Sequence, residues 1–191
     1  MDNTEIKGIV LAGGKSSRFG SDKAMAIWNG KKLIVNAIEI LSPVCHKVVI
    51  SSNNPEYSFT GCEVWPDELP QQAPMIGIYS CLKHSQTEIN IVLSCDMPLI
   101  PTALLKYLID NSSGYDSIVP KHNDDLVEPL CGIYKRNLIP VLEKFIENEN
   151  YLVYLFIVNE ILSNSSDLRL LLADQAERFE KLNRGLPRTT L

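Results

Sequence analysis

The stretch Ile9-Val10-Leu11-Ala12-Gly13-Gly14-Lys15-Ser16-Ser17-Arg18-Phe19-Gly20-Ser21-Asp22-Lys23 decides the reading of this chain. An apolar run ends abruptly in two glycines. A short polar loop follows, with an Arg, an Asp-Lys pair and a third glycine. A phosphate site at the end of a buried strand needs these features. Glycines let the backbone turn sharply and bring bare N–H groups to an anion. Lys and Arg supply fixed positive charge. An ordinary strand-to-helix turn would not call for two glycines, three cations and an acid in one short loop. Two common phosphate loops are excluded. The P-loop pattern Gly-x-x-x-x-Gly-Lys-Ser/Thr fails because position 9 is Ile and Ser21, not Lys, follows Gly20. The dinucleotide pattern Gly-x-Gly-x-x-Gly is also absent.

Outward from this loop the chain alternates strand and helix. Gly8 to Ala12 suits a central strand, and Lys47 to Ser51 and Ile89 to Ser94 read as further buried strands. Cys62 to Trp65 is a short strand stopped by Pro66. Apolar residues at 33, 34, 37, 38 and 41 give helical spacing, which Pro43 ends. Ile76 to Leu82, Ala103 to Ile109 and Leu138 to Ile146 also read as helices. Ser117 to Pro120 and Leu130 to Tyr134 are expected to be strands, one of them antiparallel at the sheet's edge. Tyr151 to Leu162 has the length of a buried helix and a Val/Tyr/Phe content that also suits strands. The succession predicts an α/β fold: a single Rossmann-like domain, a mainly parallel central sheet and helices on both faces.

In open α/β sheets ligands bind beyond the carboxyl ends of the strands. Ile91-Val92-Leu93-Ser94-Cys95-Asp96 therefore puts Asp96 at the ligand edge, with Pro98 and Pro101 stiffening the exit. An acid there can hold Mg²⁺, which takes one or two carboxylates plus phosphate oxygens and waters. The bland alternative is a helix cap or loop carboxylate. The phosphate loop on another strand favours the metal ligand.

Composition sets the outer limits. The 191 residues suit one domain, and 45% apolar content fits a globular protein. A net charge of −5 argues against general nucleic-acid binding but allows a nucleotide in a local cationic site. No run approaches the length of about 18 apolar residues that a membrane span needs. The acidic start lacks the pattern of a signal peptide, and Cys45, Cys62, Cys81, Cys95 and Cys131 form no close pairs. The expected compartment is the cytoplasm, with reduced cysteines. His46, His84 and His122 are scattered and read as surface or core residues, not ligands.

The glycine loop resembles the signature Leu-Ala-Gly-Gly-x-Ser-x-Arg-hydrophobic-Gly-x-Asp-Lys of nucleotidyltransferases. Leu11, Ala12, Gly13, Gly14, Ser16, Arg18, Gly20, Asp22 and Lys23 match it, with Phe19 where Met is usual. Within the superfamily the chain looks most like the molybdenum cofactor guanylyltransferases. Cys95-Asp96-Met97-Pro98-Leu99-Ile100-Pro101 is similar to their Cys-Asp-x-Pro-hydrophobic-hydrophobic-Pro, whose Asp carries Mg²⁺. Pro66-Asp67 matches the position of the acid that recognises guanine, with Glu68 as alternate. A carboxylate can accept from both the N1–H and the amine of guanine, a pairing that adenine does not offer. Ser51 stands where the family has an Asn that contacts the nucleotide, and Asn53 lies two residues on. Pro74-Met75-Ile76-Gly77-Ile78 resembles Gly-Pro-Leu-Ala-Gly-Ile, with Ala73 and Ile76 replacing the first Gly and the Ala. The family's closing asparagines, which meet the pterin, are reduced here to Asn183 in Phe179-Glu180-Lys181-Leu182-Asn183-Arg184.

The resemblance implies transfer of GMP from GTP to the terminal phosphate of molybdopterin or Mo-molybdopterin, with Mg²⁺ as cofactor. The implied catalytic set is Lys23, Arg18 and Asp96. Leu11, Ala12, Gly13, Gly14, Lys23, Ser51, Asp67 and Asp96 are the nucleotide set, Asp96 is the metal ligand and Asn183 contacts the acceptor. Residues 1–110 would bind nucleotide and 111–191 acceptor, with transient contacts to cofactor-handling proteins. Lys15 is open between a phosphate contact and a solvated loop residue. Asp22 is expected to orient Lys23 or brace the loop. The alternatives are a CTP-using transferase, acting on the same pterin or on a sugar-like phosphate, and a non-catalytic nucleotide-binding module.

Overall fold

The computed structural model describes residues 6–13, 22–121, 127–153 and 156–157, and the backbone of 170–174. In chain order the strands and helices are β1 (Ile6–Leu11), β2 (Ile27–Trp28), β3 (Lys31–Lys32), α1 (Leu33–Leu41), β4 (Lys47–Ser51), β5 (Glu63–Trp65), α2 (Pro74–His84), β6 (Ile89–Ser94), α3 (Thr102–Asp110), β7 (Ser117–Lys121), β8 (Cys131–Lys135), α4 (Ile139–Glu147) and β9 (Leu170–Asp174). Short 3-10 turns cover Lys23–Met25, Pro55–Thr60 and Arg136–Leu138.

Seven strands form one sheet in the order β5-β4-β1-β6-β8-β7-β9, and β2 and β3 form a separate hairpin. The contacts β1–β4, β1–β6, β4–β5 and β7–β9 are parallel. β8 is antiparallel to both β6 and β7, so it alone runs against the rest. The reversed strand was expected at the edge and instead lies inside the sheet, between β6 and β7. A short return from β7 allows the antiparallel pairing, and β9 then covers the side of β7 that would otherwise be the edge.

Alternation along the strands divides the apolar residues between two faces. Ile6 and Val10 of β1, Val48 and Ile50 of β4, and Ile91 and Leu93 of β6 pack with Ile34 and Leu41 of α1 and Leu104 and Leu108 of α3. Ile9, Val49 and Val92 point the other way and pack with Met75 and Ile78 of α2 and Leu142 of α4. Helices therefore cover both faces. Of the 151–162 segment, Val153, Phe156 and Ile157 are helical and buried in the second core, and residues 154–155 and 158–162 lie outside the described residues. Emptying a site such as the fully buried Ile34 by Ile34→Ala would cost about 2–5 kcal/mol. Among the described residues, no helix is long and apolar enough to cross a membrane.

Candidate functional site

Four parallel strands end level with one another. Leu11 of β1 is the register partner of Ser51 of β4 and of Ser94 of β6, and Ser51 is the partner of Trp65 of β5. The ladder runs one residue further: Ala12 N–H donates to the Ser51 carbonyl at 3.1 Å, Ser52 N–H to Trp65 at 3.0 Å and Cys95 N–H to Leu11 at 3.1 Å. The residues just beyond these ends therefore line one edge in strand order. Asp67 follows β5, Asn53 follows β4, Ala12 and Gly13 follow β1, and Asp96 follows β6. At the usual strand spacing, three steps separate the ends of β5 and β6 by about 14 Å. The chain goes from β1 to β4 and β5 on one side and then to β6 on the other. That reversal leaves a crevice at the carboxyl ends of β1 and β6.

At the crevice, Lys23 Nζ donates to Asp96 Oδ2 at 2.7 Å. Ser94 Oγ donates to Asp96 Oδ1 at 2.6 Å. Burial pushes the Asp96 carboxyl upward, but the hydrogen bonds from Lys23 and Ser94 and the lysine charge outweigh it. The net result lies below the ordinary carboxylate range. Asp96 is therefore an anion at neutral pH, with one donor on each oxygen. Asp22 caps the turn that carries Lys23, accepting from Ala24 N–H at 3.0 Å. Its two carboxylate oxygens lie 2.8 and 2.7 Å from the Tyr57 hydroxyl.

At the other end of the edge, Asp67 and Asn53 hold each other reciprocally. Asn53 Nδ2 donates to Asp67 Oδ2 at 3.0 Å, and Asp67 N–H donates to Asn53 Oδ1 at 2.9 Å. Burial raises the Asp67 carboxyl and the Asn53 amide opposes the shift. Asp67 Oδ1 makes no part of this clamp and is the nearer oxygen to Gly77 on α2. A Cβ at Gly77 would stand 2.6 Å from Ser51 Oγ, 3.3 Å from Leu11 Cδ2 and 3.7 Å from Asp67 Oδ1. Only hydrogen at position 77 leaves this end of the edge its present spacing.

The structure thus brings Leu11, Ala12, Gly13, Lys23, Ser51, Asp67 and Asp96 to one edge. Ser51 is buried at the end of β4, and Asn53 makes the side-chain contact with Asp67. Glu68, the alternate for Asp67, instead lies 3.0 Å from His84 Nε2 and 3.6 Å from Lys83 Nζ on α2. Gly14, Lys15, Arg18 and Asn183 lie outside the described residues. Sequence reasoning missed Ser94 and Tyr57. Ser94 was visible as a hydroxyl two residues before Asp96. Tyr57 carried only a weak signal, a phenol inside a proline-led turn after β4. Among the described residues, no group of three or more His, Cys, Asp or Glu could hold a metal.

The family model described as MobA-like NTP transferase domain matches residues 8–157. A Flavobacterium johnsoniae protein named probable molybdenum cofactor guanylyltransferase is 36% identical over 138 residues, which cover 72% of this chain and 73% of that one. A protein of the same name from Carboxydothermus hydrogenoformans is 36% identical over 135 residues, covering 71% and 68%. Among solved structures, a putative protein from Aquifex aeolicus VF5 superposes with a TM-score of 0.76 at 29% identity, covering 94% of this chain and 91% of that one. Molybdopterin-guanine dinucleotide biosynthesis protein A from Archaeoglobus fulgidus shares the fold, with a TM-score of 0.72, 24% identity and coverage of 93% and 87%. Matched by the family model over residues 8–157 and by relatives at 36% identity over more than two thirds of its length, the chain belongs to the MobA-like NTP transferase family.

Proposed function

We propose that the protein transfers GMP from GTP to the terminal phosphate of molybdopterin, or of its molybdenum-bearing form. A phosphate oxygen of the pterin attacks the α-phosphorus. The bond from that phosphorus to the β-phosphate bridging oxygen breaks, and pyrophosphate leaves. The product is a guanine dinucleotide of the pterin. The names of the curated relatives support this choice of substrates.

The observation that carries the reading is the order of groups along the edge. Asp67 and its Asn53 clamp stand at one end, Ala12 and Gly13 in the middle and the Lys23–Asp96 pair at the other. A nucleotide laid across these strand ends has its base at Asp67 and its phosphates at Lys23. The Asp67 carboxylate accepts from the guanine N1–H and amine, and Asn53 holds it at the right angle. Backbone N–H groups at Gly13 and Gly14 cradle phosphate oxygens. Lys23 stabilises charge on the phosphates during transfer, and Arg18 holds the triphosphate or the incoming phosphate. The nucleophile is already an anion, so the site needs no strong general base. Its work is positioning and charge neutralisation.

The donor set fits Mg²⁺. Asp96 supplies one ionised, hard-oxygen carboxylate at the crevice. Mg²⁺ commonly takes one or two protein carboxylates and completes its shell with phosphate oxygens and water. Bound there, it would neutralise phosphate charge. Ser94 fixes the orientation of the Asp96 carboxylate through Oδ1.

Pyrophosphate release tests the reading, measured with Mg²⁺, molybdopterin and each of GTP, CTP, ATP and UTP in turn. Release with GTP alone, dependent on the pterin, is the expected result. Release with CTP would make the protein a cytidylyltransferase. GTP binding without any release would leave a nucleotide-binding module.

A further inference from the structure

We infer that Tyr57 is a positioning residue that closes the base of the glycine loop and so sets where Lys23 stands. The inference takes the role of Lys23 from the nucleotide-transfer reading. The Tyr57 ring is buried on the turn Pro55–Thr60, at 2% exposure. Its hydroxyl lies within 2.8 Å of both Asp22 carboxylate oxygens and 3.3 Å from the Ala12 carbonyl. Ala12 is the residue before the first loop glycine, and Asp22 is the residue before Lys23. One phenol therefore reaches both ends of the loop.

The hydroxyl has one hydrogen and three acceptors around it. The charged carboxylate is the closest and the stronger partner. Burial, with the hydrogen bond to Asp22 next, pushes the phenol above its ordinary range, so it remains a protonated donor. Asp22 passes the constraint on, because its Oδ1 also accepts from Ala24 N–H. The relay from Tyr57 through Asp22 to Ala24 thus fixes the backbone on both sides of Lys23 without touching the lysine side chain.

The Asn54 side chain also reaches the hydroxyl, but the turn has bonds that do not involve it. Asn54 Oδ1 caps that turn by accepting from Glu56 N–H at 3.0 Å, and Thr60 Oγ1 donates to the Tyr57 carbonyl at 2.8 Å. A phenylalanine would fill the same ring site. What the oxygen adds is the tie to Asp22 and Ala12, beside its contact with the Asn54 side chain.

The test is calorimetric binding of inorganic triphosphate to the full chain. It compares wild type, Tyr57→Phe, Lys23→Ala and the double variant. Triphosphate probes the phosphate site with neither base nor acceptor. Tyr57→Phe is expected to weaken binding three- to tenfold in the wild-type background and less than twofold in the Lys23→Ala background. A merely structural tyrosine would give the same loss in both. Asp22→Ala, which also removes the cap on Ala24, should weaken binding at least as much as Tyr57→Phe, and the double variant should be no weaker than Asp22→Ala alone. An equal loss in both backgrounds, or no loss at all, overturns the inference. Pyrophosphate release assayed on the same proteins separates this relay from the proposed reaction. If wild type binds triphosphate with the Lys23-dependent loss but releases no pyrophosphate from any nucleotide, the transfer reading falls and the relay stands. If wild type fails to bind triphosphate, both fall.

Discussion

Lys23 and Asp96 form a 2.7 Å ion pair across 73 residues of chain, at the crevice where the strand order reverses. The two side chains are 39% and 36% exposed. A pair so open to water contributes about 0–1 kcal/mol to folding. Under the proposed reaction its value lies in what it holds ready for a phosphate, not in stability.

Lys23→Ala should separate these two effects. Turnover is expected to fall more than tenfold, while the melting temperature moves by no more than a few degrees. Steady-state kinetics beside thermal unfolding checks it. Equal turnover in wild type and variant would remove Lys23 from the mechanism.

Asp67 makes a prediction about selectivity. Its replacement by Ala should erode the preference for GTP over ATP, because the paired acceptors for guanine are lost. Competition between the two nucleotides in one reaction measures this. An unchanged preference would put base recognition elsewhere on the edge.

The same residue makes a prediction about pH. Burial holds the folded Asp67 carboxyl above its ordinary value of 3.8. As pH rises the unfolded chain gives up this proton first, so stability falls between the unfolded and folded values and remains lower above both. Asp67→Asn can still accept from Asn53 and carries no charge to bury. It should raise the melting temperature at pH 7, and the gain should disappear near pH 3. A variant destabilised equally at both pH values would mean that the carboxylate is held without strain.

Gly77 and Ser51 should be coupled. A methyl group at position 77 would meet Ser51 Oγ at 2.6 Å, and Ser51 is buried. Overpacking of this kind costs about 1–3 kcal/mol. Gly77→Ala should therefore lower stability, and Ser51→Ala should restore part of the loss by removing the oxygen. Denaturant unfolding of the two single variants and the double variant gives the coupling. Simple additivity would show that the Ser51 hydroxyl swings aside freely.

Much of the fold from β1 to α3 was legible in the sequence, because its elements carry strong local signals. Lys47–Ser51, Ile89–Ser94 and Leu33–Leu41 came out with the boundaries read from apolar spacing and Pro43. The β2–β3 hairpin was missed although Asn29-Gly30 marks it. Both residues have positive φ, 48° and 79°, as a tight two-residue hairpin turn requires. β9 was missed because Leu170-Leu171-Leu172-Ala173 is a short apolar run with neither alternation nor β-branched residues. The site was legible where a residue sits directly beyond a strand end, as Asp96 and Asp67 do. It was not legible where a partner comes from a turn distant in sequence. Nothing near Tyr57 announces that its hydroxyl meets Asp22, 35 residues away. Ser51 drew attention by its place in the pattern, yet it lies buried and Asn53 makes the contact with Asp67.

The most direct test of the central claim is the identity of the product. The full chain would be incubated with Mg²⁺, molybdopterin and GTP labelled in the α-phosphate, and the pterin fraction analysed by mass spectrometry. The account predicts one labelled species, the pterin joined to guanylate through a pyrophosphate linkage, formed mole for mole with released pyrophosphate. Label that stays on free GMP or GTP, or a pterin conjugate formed from CTP instead, would contradict it.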